Sequence, residues 1–92
     1  DGYGVYKGAD GSSYQGEVRD GAANGTGFEH TADGGRYHGE FRDGERNGKG
    51  TLLFADGAVY EGGFLNGQAD GAGKFVDAAG DSYVGSWNAG KA

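Results

Sequence analysis

The chain has 92 residues, enough for one domain, and its net charge of −6 argues against general affinity for nucleic acid or anionic lipid. It contains neither cysteine nor proline, which excludes disulfides and thiolate chemistry and favours uninterrupted strand pairing. Nothing resembles a signal peptide or a membrane span, since the longest apolar run, Leu52–Ala55, has four residues, and we expect a cytoplasmic protein.

Aromatic and glycine residues recur with a period of 23. An apolar residue follows each periodic tyrosine by four positions, and five further columns contain only glycine. A fixed period of about 20 to 50 residues is typical of a stacked repeat protein, in which no unit buries its own apolar face. The tyrosines are Tyr14, Tyr37, Tyr60 and Tyr83, and the apolar residues are Val18, Phe41, Phe64 and Trp87.

The periodic glycines indicate a folded unit and not a flexible linker. The five columns hold 20 of the 23 glycines in the chain. Glycine in regular structure costs roughly 0.5–1 kcal/mol relative to alanine, and a flexible linker does not require glycines at a fixed period. A folded unit needs them where the backbone has positive φ or where a ring lies flat on a neighbouring main chain.

The chain divides into units of this period. Its first residues match the second half of a unit and contain a turn signal, Asp10-Gly11. Three full units follow, and the last residues match the first half of another. Because neither end shows the polar cap of a solenoid, we expect a fragment of a longer array. The units are residues 1–13, 14–36, 37–59, 60–82 and 83–92.

The first full unit reads as a β-hairpin. Tyr14–Arg19 alternates ring, polar, glycine, polar, apolar and polar residues, as a half-buried strand does. Asp20-Gly21 then predicts a tight turn, because both residue types tolerate positive φ. The chain returns through Gly25–Phe28, and a second turn at Asp33-Gly34 closes the unit.

The later units repeat this order. Tyr37–Arg42 and Tyr60–Leu65 are predicted strands, and Asp43-Gly44 and Asn66-Gly67 are the turns that follow them. Glycine is too frequent everywhere for a helix with an apolar stripe. The sequence therefore predicts an all-β fold, an elongated single-layer antiparallel meander of about eight strands. The closing turns are Asp56-Gly57 and Ala79-Gly80.

The sequence does not predict which face of the sheet Phe28 occupies. It is in phase with Thr51 and Lys74 of the later units, whereas Leu52 and Phe54 alternate to the other side of the strand. The apolar side of the returning strand therefore differs between units, and either face is open to Phe28.

Seven rings are the candidate contact residues. A tyrosine and the aromatic residue four positions later share one face of a strand, with a glycine between them. These rings form the core of a thin ribbon, and some of them could also line a groove for a partner helix or peptide. The candidates are Tyr14, Tyr37, Phe41, Tyr60, Phe64, Tyr83 and Trp87.

No catalytic, metal or cofactor site is predicted. His30 and His38 lack the spacing of a zinc motif, and Gly44–Gly50 has one residue too few for a phosphate loop. The Asp-Gly pairs form turns more readily than calcium sites, because the period does not match a calcium-binding β-roll. A local basic cluster is interleaved with acids and reads as solvated surface; its members are Arg36, His38, Arg42, Arg46 and Lys49.

The unit resembles the MORN repeat (membrane occupation and recognition nexus). The best match is Tyr37–Gly50 followed by Asp56-Gly57, in the pattern Tyr-x-Gly-x-Phe-x-x-Gly-x-x-x-Gly-x-Gly. The chain departs from that pattern at single positions, where Val18 replaces an aromatic residue and Ala79 an aspartate. Asn24, Asn47 and Asp70 stand where the family often has histidine.

The resemblance implies a β ribbon with a grooved aromatic surface that acts in protein–protein contact or self-association. MORN arrays occur in cytoskeletal scaffolds, near membranes and as appendages of enzymes. We therefore expect a non-catalytic scaffold module in the cytoplasm that binds a protein partner, a second copy of itself, or both. Self-association would use the ends of the ribbon, near Gly2–Gly8 and Tyr83–Asn88. The alternatives are a phosphoinositide-binding surface, which the acidic charge disfavours, and a regulatory array attached to an enzyme.

Overall fold

The computed structural model describes residues 2–88, which form one open antiparallel sheet whose eight strands follow chain order. None of these residues lies in a helix, so none of them forms a helix that could cross a membrane. The all-β meander predicted from the sequence is confirmed. The strands are β1 (Gly2–Lys7), β2 (Ser13–Arg19), β3 (Ala22–His30), β4 (Arg36–Arg42), β5 (Glu45–Leu53), β6 (Val59–Leu65), β7 (Gln68–Val76) and β8 (Ser82–Trp87).

The sheet is one layer thick and longest across its strands. Its extents are 38 × 24 × 16 Å. Eight strands spaced about 4.8 Å apart account for the longest of these dimensions. Every strand pairs only with its neighbours in sequence, so the ribbon is built entirely from hairpins.

Two kinds of turn alternate along the ribbon. The β4–β5 turn has positive φ at both central residues, 51° at Asp43 and 86° at Gly44, as a type I′ turn requires. The β3–β4 connection is longer: Gly34 donates its N–H to the Thr31 carbonyl at 3.1 Å, and Thr31 donates to the Gly35 carbonyl at 2.9 Å. This is a type I turn closed by a glycine bulge, with φ of 96° at Gly34.

A bulge follows the middle of every full hairpin. Gly39 pairs with Gly50, but Phe41 pairs with Arg46, so the strand β5 has extra residues at this point. The carboxylate of Glu40 fills the gap in the ladder, since its Oε1 accepts the Lys49 N–H at 2.7 Å.

One side of the sheet carries the core. Residues paired across strands share a face, so Tyr37 stands in one row with Glu29 and Leu52. We call this side the aromatic face. Its buried residues are Tyr14, Ala23, Tyr37, Phe41, Tyr60 and Phe64, with Val18, Leu52, Ala69, Phe75 and Trp87 packed against them.

Phe28 lies on the opposite face. It pairs with Gln15 and His38, and its ring stacks on the His38 ring at 4.0 Å with an interplanar angle of 3°. The side chain remains 55% exposed. Glu29 takes the place on the aromatic face that Leu52 occupies in the next unit, and the register therefore puts Phe28 on the other side.

Candidate interaction surface

Each inner tyrosine lies flat over a pair of glycines. A Cβ atom added to Gly39 or Gly50 would come closer than 3.0 Å to the Tyr37 side chain. The ring therefore packs directly on main chain, which is the role predicted for these glycine columns. The Tyr37 hydroxyl reaches the bulge and donates to the Glu40 carbonyl at 2.9 Å. Tyr14 and Tyr60 make the same bond, to Glu17 at 2.6 Å and to Gly63 at 2.9 Å.

The rings form a continuous ladder along the aromatic face. Phe41 contacts Tyr37 of its own strand and Tyr14 of the preceding unit, both at 5.0 Å between ring centroids. Phe64 repeats this with Tyr60 and Tyr37, and Trp87 with Tyr83 and Tyr60. All six contacts are edge-to-face, with interplanar angles between 76° and 87°. Each aromatic residue therefore joins two units.

The ring contacts leave five of the seven candidate contact residues almost inaccessible to solvent. Tyr14, Tyr37, Phe41, Tyr60 and Phe64 are all less than 9% exposed. These five serve as the core of the ribbon, which is the structural role expected for them. Of the other two candidates, Tyr83 is 41% exposed and Trp87 is partly buried. A contact with a partner stays a prediction for all seven.

The tyrosine hydroxyls are held as hydrogen-bond donors. Burial raises the pKa of Tyr37 to about 12, although the nearby Arg46 cation works in the other direction. Burial also raises the pKa of Tyr14 and of Tyr60. A hydroxyl with a raised pKa that already donates to a carbonyl is unsuited to act as a general base or as a nucleophile.

An ion pair covers the middle of the aromatic face. Arg46 Nε lies 3.0 Å from Glu29 Oε1, and its guanidinium stands 5.2 Å above the Tyr37 ring centroid. In the next unit the same two columns hold Leu52 and Ala69. The face is therefore polar over Tyr37, but it is apolar further along the ribbon.

Beyond the ion pair the aromatic face opens into a groove of about 350 Å³, which we call the Trp87 groove. Within the described range 2–88, no charged side chain lines it. Phe54 and Phe75 stand at one side, with ring centroids 5.9 Å apart, and Trp87 lies 6.1 Å from Phe75. The buried Nε1 of Trp87 has no hydrogen-bond partner among residues 2–88. The lining residues are Leu52, Phe54, Tyr60, Phe64, Gly67, Gln68, Ala69, Phe75 and Trp87.

Six of the nine lining residues were not among the predicted contact residues, and three of these six have large apolar side chains. Leu52, Phe54 and Phe75 belong to the returning strands and their ends, whereas the prediction followed the tyrosine strands. The signal was present in the sequence, because Leu52 and Phe75 are 23 residues apart and Phe54 alternates with Leu52 on one face.

A second, more open cleft of about 890 Å³ lies at the bulges of the first units. Two carboxylates face it, but both already accept backbone hydrogens. Glu17 binds the Thr26 N–H at 3.0 Å, and Glu40 binds the Lys49 N–H at 2.7 Å. These bonds complete the hairpins at their bulges, and we assign the two carboxylates this structural role.

The histidines and turn aspartates take structural positions. His30 and His38 are exposed, with His38 stacked on Phe28. Asp33 accepts from the Thr31 hydroxyl and from the Gly35 N–H within its own turn, and the Thr31 bond lowers the pKa of Asp33. In the part of the chain that the structure covers, no cluster of three His, Asp or Glu side chains is placed to hold a metal ion.

Comparison with known proteins agrees with this architecture. The MORN repeat family matches the chain over residues 1–13, 14–36, 37–59 and 60–82. A comparison with curated proteins gave no match. The family match covers four consecutive stretches and most of the chain, and the structure shows an open antiparallel meander without a helix over residues 2–88. The chain therefore belongs to the MORN-repeat family.

Proposed function

We propose that this chain is a non-catalytic interaction module that binds an apolar segment of a partner protein in the Trp87 groove and joins a second copy through its outer strands. MORN repeats are generally repeat modules for interaction, often near membranes. Two observations here support a role without catalysis: the tyrosine hydroxyls are engaged by carbonyls, and the bulge carboxylates by backbone N–H groups. A cytoplasmic location, with the cytoskeletal or membrane association found in the family, stays a prediction.

The open apolar groove carries the first part of this proposal. The burial of the ring ladder leaves Leu52, Phe54, Phe75 and Trp87 as partly covered apolar surface around a space of about 350 Å³. Such a space accommodates one or two large apolar side chains of a peptide or helix. Burying one of them is worth roughly 1.5–3 kcal/mol, so several contacts of this kind give a transient interaction.

The charge around the groove indicates what flanks the bound segment. Residues 60–82 carry a net charge of −3, and none of the described residues that line the groove is charged. A segment with apolar residues on one side and lysine or arginine on the other matches this distribution. A membrane surface rich in phosphoinositides does not match it, because its charge has the same sign as that of the chain.

Trp87 provides the assay, because it is the only tryptophan in the chain and it lines the groove. We expect a short amphipathic leucine–lysine peptide to shift the Trp87 emission to shorter wavelength in a saturable manner. The Leu52→Asn variant should weaken this binding about tenfold, since it removes most of one apolar contact. Leu53→Asn is the matched control, because Leu53 is the adjacent residue of the same type on the opposite face.

Three experimental results would contradict parts of this proposal. Equal binding by the two asparagine variants would place the peptide outside the groove. Equal binding of a leucine–glutamate peptide would refute the charge argument. Cosedimentation with phosphatidylcholine vesicles that contain phosphoinositide, without any emission change on addition of peptide, would favour the lipid-binding alternative.

A further inference from the structure

Two neighbouring units differ in what covers the tyrosine ring on the aromatic face. In the unit 37–59 the side chain of Arg46 runs over the Tyr37 ring, with its guanidinium 5.2 Å above the ring centroid. This side chain is only 18% exposed, although it is long and carries a charge. The space above the ring, which we call the slot of its unit, therefore takes up a long, unbranched side chain.

The strand register places a small residue at the same position in the next unit. Arg46 pairs with Phe41 beside the bulge. Ala69 pairs with Phe64 in the same register. Because alanine ends at its Cβ atom, it leaves the slot above Tyr60 unfilled, and Ala69 and Tyr60 both line the Trp87 groove. The strands β5 and β7 that carry this column each pair on both sides, so the difference lies inside the array.

The residue that faces the occupant of the slot differs as well. Glu29 pairs with Tyr37, and its carboxylate lies 3.0 Å from Arg46 Nε. Leu52 pairs with Tyr60 in the equivalent register. A cation in the slot above Tyr60 would lack the carboxylate that offsets its desolvation, whereas an uncharged side chain would gain contacts with leucine and with the rings. Charge complementarity therefore favours an apolar occupant.

The walls of this slot favour one apolar side chain over the others. Trp87 lies 5.2 Å from Tyr60 and 6.1 Å from Phe75 between ring centroids, so three rings surround the space. Methionine is unbranched, as the stem of arginine is, and its sulfur makes favourable contacts with aromatic rings. Leucine branches at Cγ and phenylalanine is a wide, rigid ring, so both match the shape of the arginine stem less well.

We propose that the Trp87 groove binds a methionine side chain of a partner protein, in the slot above Tyr60 that corresponds to the one filled by Arg46 in the preceding unit. This inference rests on the groove part of the proposed function and names the anchor residue of the bound segment. Ala69 and Leu52 determine this specificity, because together they leave the slot open and uncharged. The lysine or arginine residues of the segment stay outside the slot, beside the acidic unit 60–82.

Three peptides with the same pattern of lysines compare the possible anchors. They carry leucine, methionine or phenylalanine at the apolar positions, and the anisotropy of a fluorescent label on the peptide measures binding independently of the Trp87 emission. We expect the methionine peptide to bind at least threefold more tightly than the other two. Leucine and phenylalanine are the more hydrophobic residues, so hydrophobicity alone predicts the opposite order.

Oxidation of the methionine peptide tests the role of the sulfur. Methionine sulfoxide is polar, and it replaces the apolar thioether with a group that the groove does not match. The peptide is oxidised before it is mixed with the protein, so that the protein itself stays unchanged. The oxidised peptide should bind at least tenfold more weakly.

Two arginine variants test where the methionine binds. Ala69→Arg should fill the slot from within the chain and weaken binding of the methionine peptide at least tenfold. Ala72→Arg is the matched control, because Ala72 is an exposed residue of the same strand on the opposite face, and it should leave binding unchanged. Circular dichroism establishes that both variants are folded.

A double variant tests the equivalence of the two slots without any peptide. Leu52→Glu together with Ala69→Arg should create above Tyr60 the ion pair that Arg46 and Glu29 form in the preceding unit. We therefore expect the double variant to melt at a higher temperature than either single variant in thermal unfolding.

Four results would overturn the inference. If the leucine peptide binds as tightly as the methionine peptide, or if the oxidised peptide binds as tightly as the reduced one, the groove does not prefer methionine, and the proposed function stands without this inference. A double variant that melts below both single variants would show that the two slots are not equivalent. Binding that Ala69→Arg leaves unchanged would place the peptide outside the slot and refute the groove part of the proposed function as well.

Discussion

A single methyl group at Gly50 should displace the central ring of the ladder. A Cβ atom there would come closer than 3.0 Å to three atoms of Tyr37, whose ring is also in contact with Phe41 and Phe64. The backbone at Gly50 is not in the positive-φ region, so the effect of Gly50→Ala is purely steric. The result should be a large loss of stability from a small change.

The contacts of Tyr37 set the magnitude of this loss. Displacing the ring forfeits part of a burial worth about 1.5–3 kcal/mol and weakens two edge-to-face contacts worth about 0.5–1.5 kcal/mol each. Replacing glycine also restricts the unfolded chain, which returns about 0.4–1 kcal/mol. We expect a net loss of about 2–3 kcal/mol, which lowers the Tm of a domain of this size by roughly 10–20 °C.

Gly4→Ala is the matched control for this measurement. Gly4 occupies the same repeat column, but no tyrosine covers it, and the nearest side chain is that of Val18. Thermal unfolding followed by circular dichroism at low protein concentration should show a Tm within a few degrees of the unmodified chain. Equal melting of the two variants would refute the packing of Tyr37 on glycine.

Three further predictions concern the ion pair, the hydroxyl and the turn. Arg46→Ala should lower the free energy of unfolding in urea by about 1 kcal/mol, because it leaves Glu29 without its ion-pair partner on the aromatic face. The double variant Glu29→Leu with Arg46→Ala should recover that loss, and its stability should no longer depend on salt through this ion pair. The folded-state pKa of Tyr37 is raised to about 12 from 10.0, so the contribution of the neutral hydroxyl to stability is complete below pH 10 and is lost as the pH rises to 12. Tyr37→Phe should reduce this loss of stability at high pH, which unfolding measured as a function of pH would detect. Asp43→Ala should lower stability by about 1 kcal/mol, because Asp43 has a φ of 51°, which alanine adopts less readily. Asp43→Asn should be neutral, since Asn66 occupies the same position in its own turn with the same φ. Calorimetry of the two variants measures the difference.

The strands and turns of this fold could be predicted because each has a local cause. Alternation places Tyr37 and Phe41 on one face, and Asp43-Gly44 has the residues that a type I′ turn requires. The contact between Tyr37 and the glycines was also predictable, since the glycine columns repeat in phase with the rings. The family assignment followed from the same pattern and is confirmed.

The candidate site depended on features that alternation does not reveal. The bulge opposite Gly39–Phe41 brings Arg46 level with Phe41, and the pairing of Arg46 with Glu29 joins two different units. Neither contact can be located until the number of residues in the bulge is known. Phe28 is a similar case, because its face follows from the strand register and not from its own hydrophobicity.

The ring ladder also determines how order spreads through the chain. Phe41 and Phe64 each contact a tyrosine in their own unit and another in the unit before, so each of them loses one of its two ring contacts when the preceding unit unfolds. Coupling of this nearest-neighbour kind behaves as a one-dimensional lattice, in which unfolding proceeds inward from the boundaries. We therefore expect the amide protons around Tyr37 and Tyr60 to be the last to exchange, and a disruption at the centre to separate the ribbon into two short pieces that unfold independently.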